Sequence, residues 1–221
     1  MRRVLVLRPE PGASATIERA RALGLEPVGV PLFEVEPLPW EAPAPGAFDG
    51  LLLTSANAVR HGGAELLKLR GLEVYAVGDA TAEATREAGF DIAATGDAGI
   101  DRLLGSIEPA LNLLHPCAED RREAPQARQR ILSIPVYRAK TVEAPELAAA
   151  RGAVLLVHSP RAARRLAELT SDRASIAIAA ISAAAAEAVG DGWESVEAAP
   201  EPNDDALLAL AARLCNNPPP E

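Results

Sequence analysis

The sequence predicts two similar, doubly wound parallel α/β lobes joined by a two-stranded hinge ribbon, with one lobe discontinuous along the chain. Three observations predict it. Short apolar runs alternate with helical patterns along the whole length, the pattern of βαβ units and parallel sheets. One stretch occurs twice: LLLTSANAVR (51–60) with VYAVGDATAEA (74–84), then LLVHSPRAAR (155–164) with IAAISAAAAEA (178–188). Two extended, proline-bearing segments, 33–39 and 138–145, also answer each other. Ser55 matches Ser159, Glu83 matches Glu187 and Pro31 matches Pro135, always 104 positions on (159 − 55, 187 − 83, 135 − 31). That period far exceeds the roughly 20–50 residues of solenoid repeats, so the duplication gives two domains and not an array.

Taken in order, 4–7 is an apolar run read as a buried strand, and Pro9, Pro11 and Gly12 form a loop. Helical spacing over 15–23 stops at Gly24, and 27–33 is the next strand. Residues 33–39 form an extended, half-exposed connector. Then come a strand (51–53), a helix (56–69), a strand (74–77), a helix (80–88) capped by Gly89, a short strand (91–94) and a brief helix (101–107). The strand at 111–115 is expected to close at Pro116, 119–130 to be polar and partly helical, and 131–137 to be a strand leading into the second connector. The last third reads strand (153–157), helix (160–169), strand (176–181), helix (183–189), strand (196–198) and amphipathic helix (204–215).

The two connectors each follow a βαβ unit, which suggests that the chain crosses between lobes at both. One lobe is then 1–35 with 143–217, the other is the inserted 36–142, and 216–221 is a Pro-rich tail expected to be disordered.

Composition narrows the function classes. Of 221 residues, 48% are apolar and 24% charged, as in ordinary soluble globular proteins. The net charge of −9 opposes binding to nucleic acid or an anionic membrane. No apolar run reaches 18 residues, and the N-terminal one is too short for a signal peptide, so a cytoplasmic protein is expected. Cys117 and Cys215 form no CxxC pair and read as buried thiols. Metal-ligand spacing, GxGxxG, GxxxxGK[ST] and GxSxG are all absent, which argues against metal, nucleotide and nucleophile-elbow chemistry.

Doubly wound sheets bind ligands beyond the carboxyl ends of their strands. The polar residues there are Arg8, Thr54, Ser55, Asn57, Gly78, Asp79, Thr81, His115, Tyr137, Arg138, His158, Ser159, Arg161 and Ser182. Several also have a plain structural role. Thr54 or Ser55, Asp79 and Ser159 suit helix N-caps, and Asn203-Asp204-Asp205 reads as a helix start. Capping and anion binding are compatible, because the first-turn amides also attract a carboxylate.

In order along the chain, VLVLRPEP, LLLTSANAV, VYAVGDATAEA with AGF, IPVYRA, LLVHSPRAA and NDDALL resemble uroporphyrinogen-III synthase. The resemblance implies flavodoxin-like lobes, a monomer and no cofactor. It implies a lyase of tetrapyrrole (haem, cobalamin, chlorophyll) biosynthesis, whose substrate is hydroxymethylbilane, a linear tetrapyrrole with eight carboxylates. Its hydroxyl leaves as water and the ring closes with inversion of ring D, through a proposed spiro intermediate. Transient contact with the preceding pathway enzyme is also implied.

In this family the tyrosine of the VY pair, here Tyr137, is the candidate for assisting hydroxyl loss. The family's binding hydroxyls match Thr54, Ser55, Thr81 and Ser159. Two stretches depart from the pattern. Ala183–Ala186 replace hydroxyl residues, leaving Ser182, and His115-Pro116-Cys117-Ala118 stand where arginine and glycines are usual. These departures motivate an alternative, a non-catalytic bilobed module that binds a tetrapyrrole or another anion. A two-lobed glycosyltransferase-like enzyme fits the architecture but lacks a nucleotide-phosphate loop.

Overall fold

The computed structural model describes residues 2–97, 99–120 and 127–216. The expected tail therefore lies outside the described residues except for Asn216, and so does half of the polar segment 119–130. The N-terminal elements are β1 (Arg3–Val6), α1 (Gly12–Ala22), β2 (Glu26–Gly29) and β3 (Phe33–Pro37). Next come β4 (Gly50–Leu53), α2 (Ala56–His61), α3 (Gly63–Leu67), β5 (Glu73–Val77), α4 (Asp79–Glu87), β6 (Ile92–Gly96), α5 (Ile100–Ser106), β7 (Asn112–Ala118) and β8 (Arg130–Thr141). The chain closes with β9 (Val154–Val157), α6 (Pro160–Leu169), β10 (Ala177–Ala180), α7 (Ala183–Val189), β11 (Ser195–Ala198) and α8 (Asp204–Asn216).

The chain divides into two compact units, Met1–Glu34 with Thr141–Glu221, and Val35–Lys140. The first holds a sheet of order β11-β10-β9-β1-β2, parallel throughout. The second sheet runs β3-β8-β7-β4-β5-β6, parallel from β8 to β6. Leaving out β3, each sheet has the doubly wound order in which a central pair of strands marks the reversal, β1/β9 in one and β7/β4 in the other.

Parallel strands covered on both faces must be apolar on both. Accordingly, every residue of β4 (GLLL), β9 (VLLV) and β10 (AIAA) is buried. Alternation then sorts side chains by face. Leu51 and Leu53 pack with Val74, Phe90 and Tyr137, whereas Leu52 joins Leu103, Leu104 and Leu113 on the other face. In the first unit Val4, Val6, Val154 and Leu156 meet Leu207, Leu208, Leu210 and Leu214 of α8.

The structure corrects several sequence expectations. The helix expected over 56–69 is two short helices, because Gly63 takes φ +60°, which no right-handed helix continues. Helix α1 begins at Gly12 and not at Ala15, with the Glu10 carboxylate accepting from the Ser14 amide at 3.0 Å and hydroxyl at 2.9 Å. Strand β2 stops at Gly29, and Phe33 already belongs to β3.

The connectors are strands themselves. Leu38 donates to the Val136 carbonyl (2.9 Å) and Val142 to that of Leu32 (3.0 Å), so the partners run in opposite directions along the chain. Strand β7 does not close at Pro116. Its pairing with β4 ends at Leu114, while β8 accompanies it from Asn112 to Ala118, so a residue without an amide donor is accommodated there.

Candidate functional site

In the Val35–Lys140 unit, the carboxyl end of β4 delivers Thr54 and Ser55 into the start of α2. Ser55 is extended (φ −156°, ψ 136°) and its hydroxyl accepts from the Asn57 amide at 3.2 Å, as an N-cap should. The same hydroxyl is near enough to the phenol of Tyr137 to favour its ionised form. Tyr137 is 8% exposed and its ring centroid lies 6.1 Å from that of His61. Burial lifts the phenol's pKa above its ordinary value, and the nearby Ser55 hydroxyl partly offsets this. Strand β8 continues to Thr141, so Tyr137 sits within a strand and not at the strand end expected from its sequence.

Thr54 turns toward β7. Its Oγ1 is 3.1 Å from Nε2 of His115, whose Nδ1 is 3.2 Å from Oγ of Ser133 on β8. His115 is 4% exposed, and it too lies inside a strand and not at its end.

At the next strand end, Gly78 takes φ +83° and leads into α4 with no side-chain cap. Asp79, expected to cap, is instead the first residue of that helix. Its counterpart turn in the other unit is Ser182, since 182 − 78 repeats the duplication spacing of 104. Thr81 is likewise the counterpart of Ala185, and both are buried. Thr81 is 4% exposed on α4.

In the unit containing the N- and C-terminal parts, Ser159 caps α6 through the Ala162 amide (3.1 Å), with Pro160 at the first helical position. Ser182 caps α7 through the Ala185 amide (3.3 Å). Arg161 stacks on the Phe33 ring, 4.5 Å from guanidinium carbon to centroid.

Arg8 is not an open cation. Its Nη1 lies 3.4 Å from Thr16 Oγ1 and 3.3 Å from Asp204 Oδ1. Thr16 donates to Asp204 Oδ2 at 2.7 Å, and His158 Nε2 stands 3.2 Å from Oδ1. The latter pair is close enough for charge pairing but poorly aligned for a hydrogen bond. Gly12 makes room for this arrangement, since a Cβ there would sit 2.4 Å from Arg8 Nε. Burial alone would raise the Asp204 carboxyl, yet the polar contact with His158, the hydrogen bond from Thr16 and the charges of His158 and Arg8 hold it at about 2.

The structure thus gathers Thr54, Ser55, Asn57 and Tyr137 in one unit, and Arg8 and Ser159 at the central strand ends of the other, with Ser182 one strand further out. Sequence reasoning missed Asp204, Thr16 and Ser133. Asp204 looked like a helix start, and Asn203 does accept from the Ala206 amide at 2.9 Å. A threonine on an otherwise apolar helix face was the one signal for Thr16. Nothing local marked Ser133. Among the described residues no group of His, Cys, Asp and Glu could hold a metal ion, and no helix is long and apolar enough to cross a membrane.

Comparison with known proteins agrees with this architecture. The family model described as uroporphyrinogen-III synthase HemD matches residues 14–209. No curated protein sequence matches. Among solved structures, the uroporphyrinogen-III synthetase of Helicobacter pylori is similar at 18% identity and TM-score 0.69, over 97% of this chain and all of that one (100%). A mutant uroporphyrinogen III synthase of Thermus thermophilus is similar at 17% identity and TM-score 0.55, over 97% and 100% of the two chains. With the family model spanning most of its length, the chain belongs to the uroporphyrinogen-III synthase family.

Proposed function

We propose that this chain converts hydroxymethylbilane to uroporphyrinogen III, as its family implies, with Tyr137 as the group that assists loss of the hydroxyl. The observation that carries the assignment is the burial of the Tyr137 phenol near the Ser55 hydroxyl, at the carboxyl end of β4. Burial raises the phenol's pKa, so Tyr137 is protonated near neutral pH and able to donate. The C–O bond breaks, the phenol's proton leaves with the hydroxide as water, and the pyrrole nitrogen lone pair supports the cation that forms. The cation is taken first by the ring-D carbon that already bears the neighbouring methylene bridge, giving the spiro intermediate. That bridge bond then breaks and re-forms at the free α-carbon of ring D, whose proton is lost and restores the phenol.

Loss of hydroxide from a pyrrolic carbinol is already easy. The enzyme's larger task is to hold one folded geometry against closure to the unrearranged type I isomer. Ser159 and the first-turn amides of α6 are suited to substrate carboxylates. Arg8 contributes the part of its guanidinium turned away from Asp204, its side chain being 34% exposed.

A coupled assay tests the proposal. Hydroxymethylbilane is generated in place, the products are oxidised, and the type I and III isomers are separated. A protein-dependent excess of type III is expected, and Tyr137→Phe should lower kcat by about 100-fold, the lower end for a general acid. Type I alone from folded protein would favour the non-catalytic binding module.

A further inference from the structure

We propose that His115 is a positioning residue: its imidazole ties three strands together and so fixes the Thr54–Ser55 turn against which Tyr137 is held. The inference rests on the reading of Tyr137 above, but its geometry is independent of any ligand.

The backbone ladder between β4 and β7 runs only through Gly50–Leu113 and Leu51–Leu114. Two residues further along β7 stands Pro116, which has no amide to extend it. A side-chain link takes over where the ladder stops, with His115 Nε2 3.1 Å from Thr54 Oγ1. On its other flank His115 is the direct cross-strand partner of Ser133, and Nδ1 lies 3.2 Å from Ser133 Oγ. One imidazole therefore bridges β4, β7 and β8. A hydroxyl can donate or accept, so either neutral tautomer satisfies both contacts. At 4% exposure, water is a poor substitute for either partner, which makes the loss of both contacts costly.

The consequence reaches the phenol in two short steps. Thr54 is bonded covalently to Ser55, and Ser55 caps α2 with its hydroxyl near the Tyr137 phenol, whose pKa it lowers. Without the imidazole, the Thr54 hydroxyl loses this anchor, the turn gains freedom, and the Ser55 hydroxyl stays near the phenol less of the time. His115 touches none of the proposed reacting atoms. It acts through Thr54.

The test compares His115→Leu, which keeps bulk but removes both nitrogens, with His115→Gln, which supplies one donor and one acceptor. Tyr75 and Tyr137 are the two tyrosines, so a Tyr75→Phe background isolates the Tyr137 titration, followed by phenolate absorbance without substrate. His115→Leu should titrate at higher pH than the parent, because the Ser55 hydroxyl that offsets burial is held near the phenol less of the time. It should also lower kcat about 5- to 10-fold, the equivalent of one hydrogen bond, with KM changed less than about 2-fold. His115→Gln should restore both readouts most of the way.

Should His115→Leu not fold, Thr54→Val removes the same contact from the other side and should reproduce its titration shift. Parent-like titration and kcat in His115→Leu would overturn the proposal, as would His115→Gln behaving like His115→Leu in both. If the parent protein makes no type III product, the functional reading fails while the phenol titration still decides the role of His115.

Discussion

Replacing Asp204 by asparagine removes the charge at the centre of the Arg8–Thr16–His158 cluster while keeping the shape and a hydrogen-bond acceptor. The carboxyl is held at about 2 against an ordinary 3.8. That interval corresponds to about 2 kcal/mol of stability. The Asp204 side chain is only 12% exposed, so solvent screening discounts this little. The folded-state value lies below the unfolded one. The contribution is therefore complete well above pH 3.8 and is lost as the pH falls toward 2, with about half gone by pH 3.

The assay is urea unfolding followed by Trp193 fluorescence in a Trp40→Phe background. Trp193 is 9% exposed, donates to the Val189 carbonyl at 3.1 Å, and belongs to the same unit as Asp204, whereas Trp40 belongs to the other. Reading one unit avoids assuming that both unfold in a single step. Asp204→Asn should be less stable than its parent by about 2 kcal/mol at pH 7, with a gap of about 1 kcal/mol at pH 3. A variant as stable as its parent at pH 7, or a gap that does not change with pH, would refute the reasoning.

Two further substitutions test the packing around the site. Gly50→Ala would place a Cβ 2.8 Å from the Glu73 carbonyl and 2.9 Å from the Tyr75 ring, so β4 must shift against β5. A loss of about 1–3 kcal/mol is expected from Trp40 fluorescence in a Trp193→Phe background, and an unchanged midpoint would count against it. Ser182→Ala removes the acceptor for the Ala185 amide and should destabilise the Trp193 unit by about 1 kcal/mol, whereas Ser182→Gly should cost only a few tenths. Equal losses for the two would show that the hydroxyl is not acting as a cap.

Features that depend on neighbours along the chain are legible in the sequence. Ser55 and Ser159 cap helices because each stands at a strand exit directly before a helix, and the bond it makes lies two or three residues away. The β4 and β9 runs are legible because a strand buried on both faces has no polar position to spare. Misreadings come where a local rule meets a long-range constraint. Pro116 would close a strand that needed its amide, but β7 has already parted from β4. Asp79 would cap α4 if Gly78 did not supply the left-handed turn itself.

By itself the sequence determined the duplication, the alternation of strands and helices, and the capping role of Ser159, because these rest on composition, spacing and a recurring motif along the chain. Only the tertiary structure decided which polar groups meet. Asp204 and Thr16 are 188 positions apart, Thr54 and His115 61 apart. Such pairs leave no periodicity in the chain, since parallel strands become neighbours through crossovers whose length and packing set the register. The same physics buried Thr81 and paired Arg8 with Asp204. Which face of a helix is buried, and which cation already has its anion, are properties of the packed sheet and of no single segment.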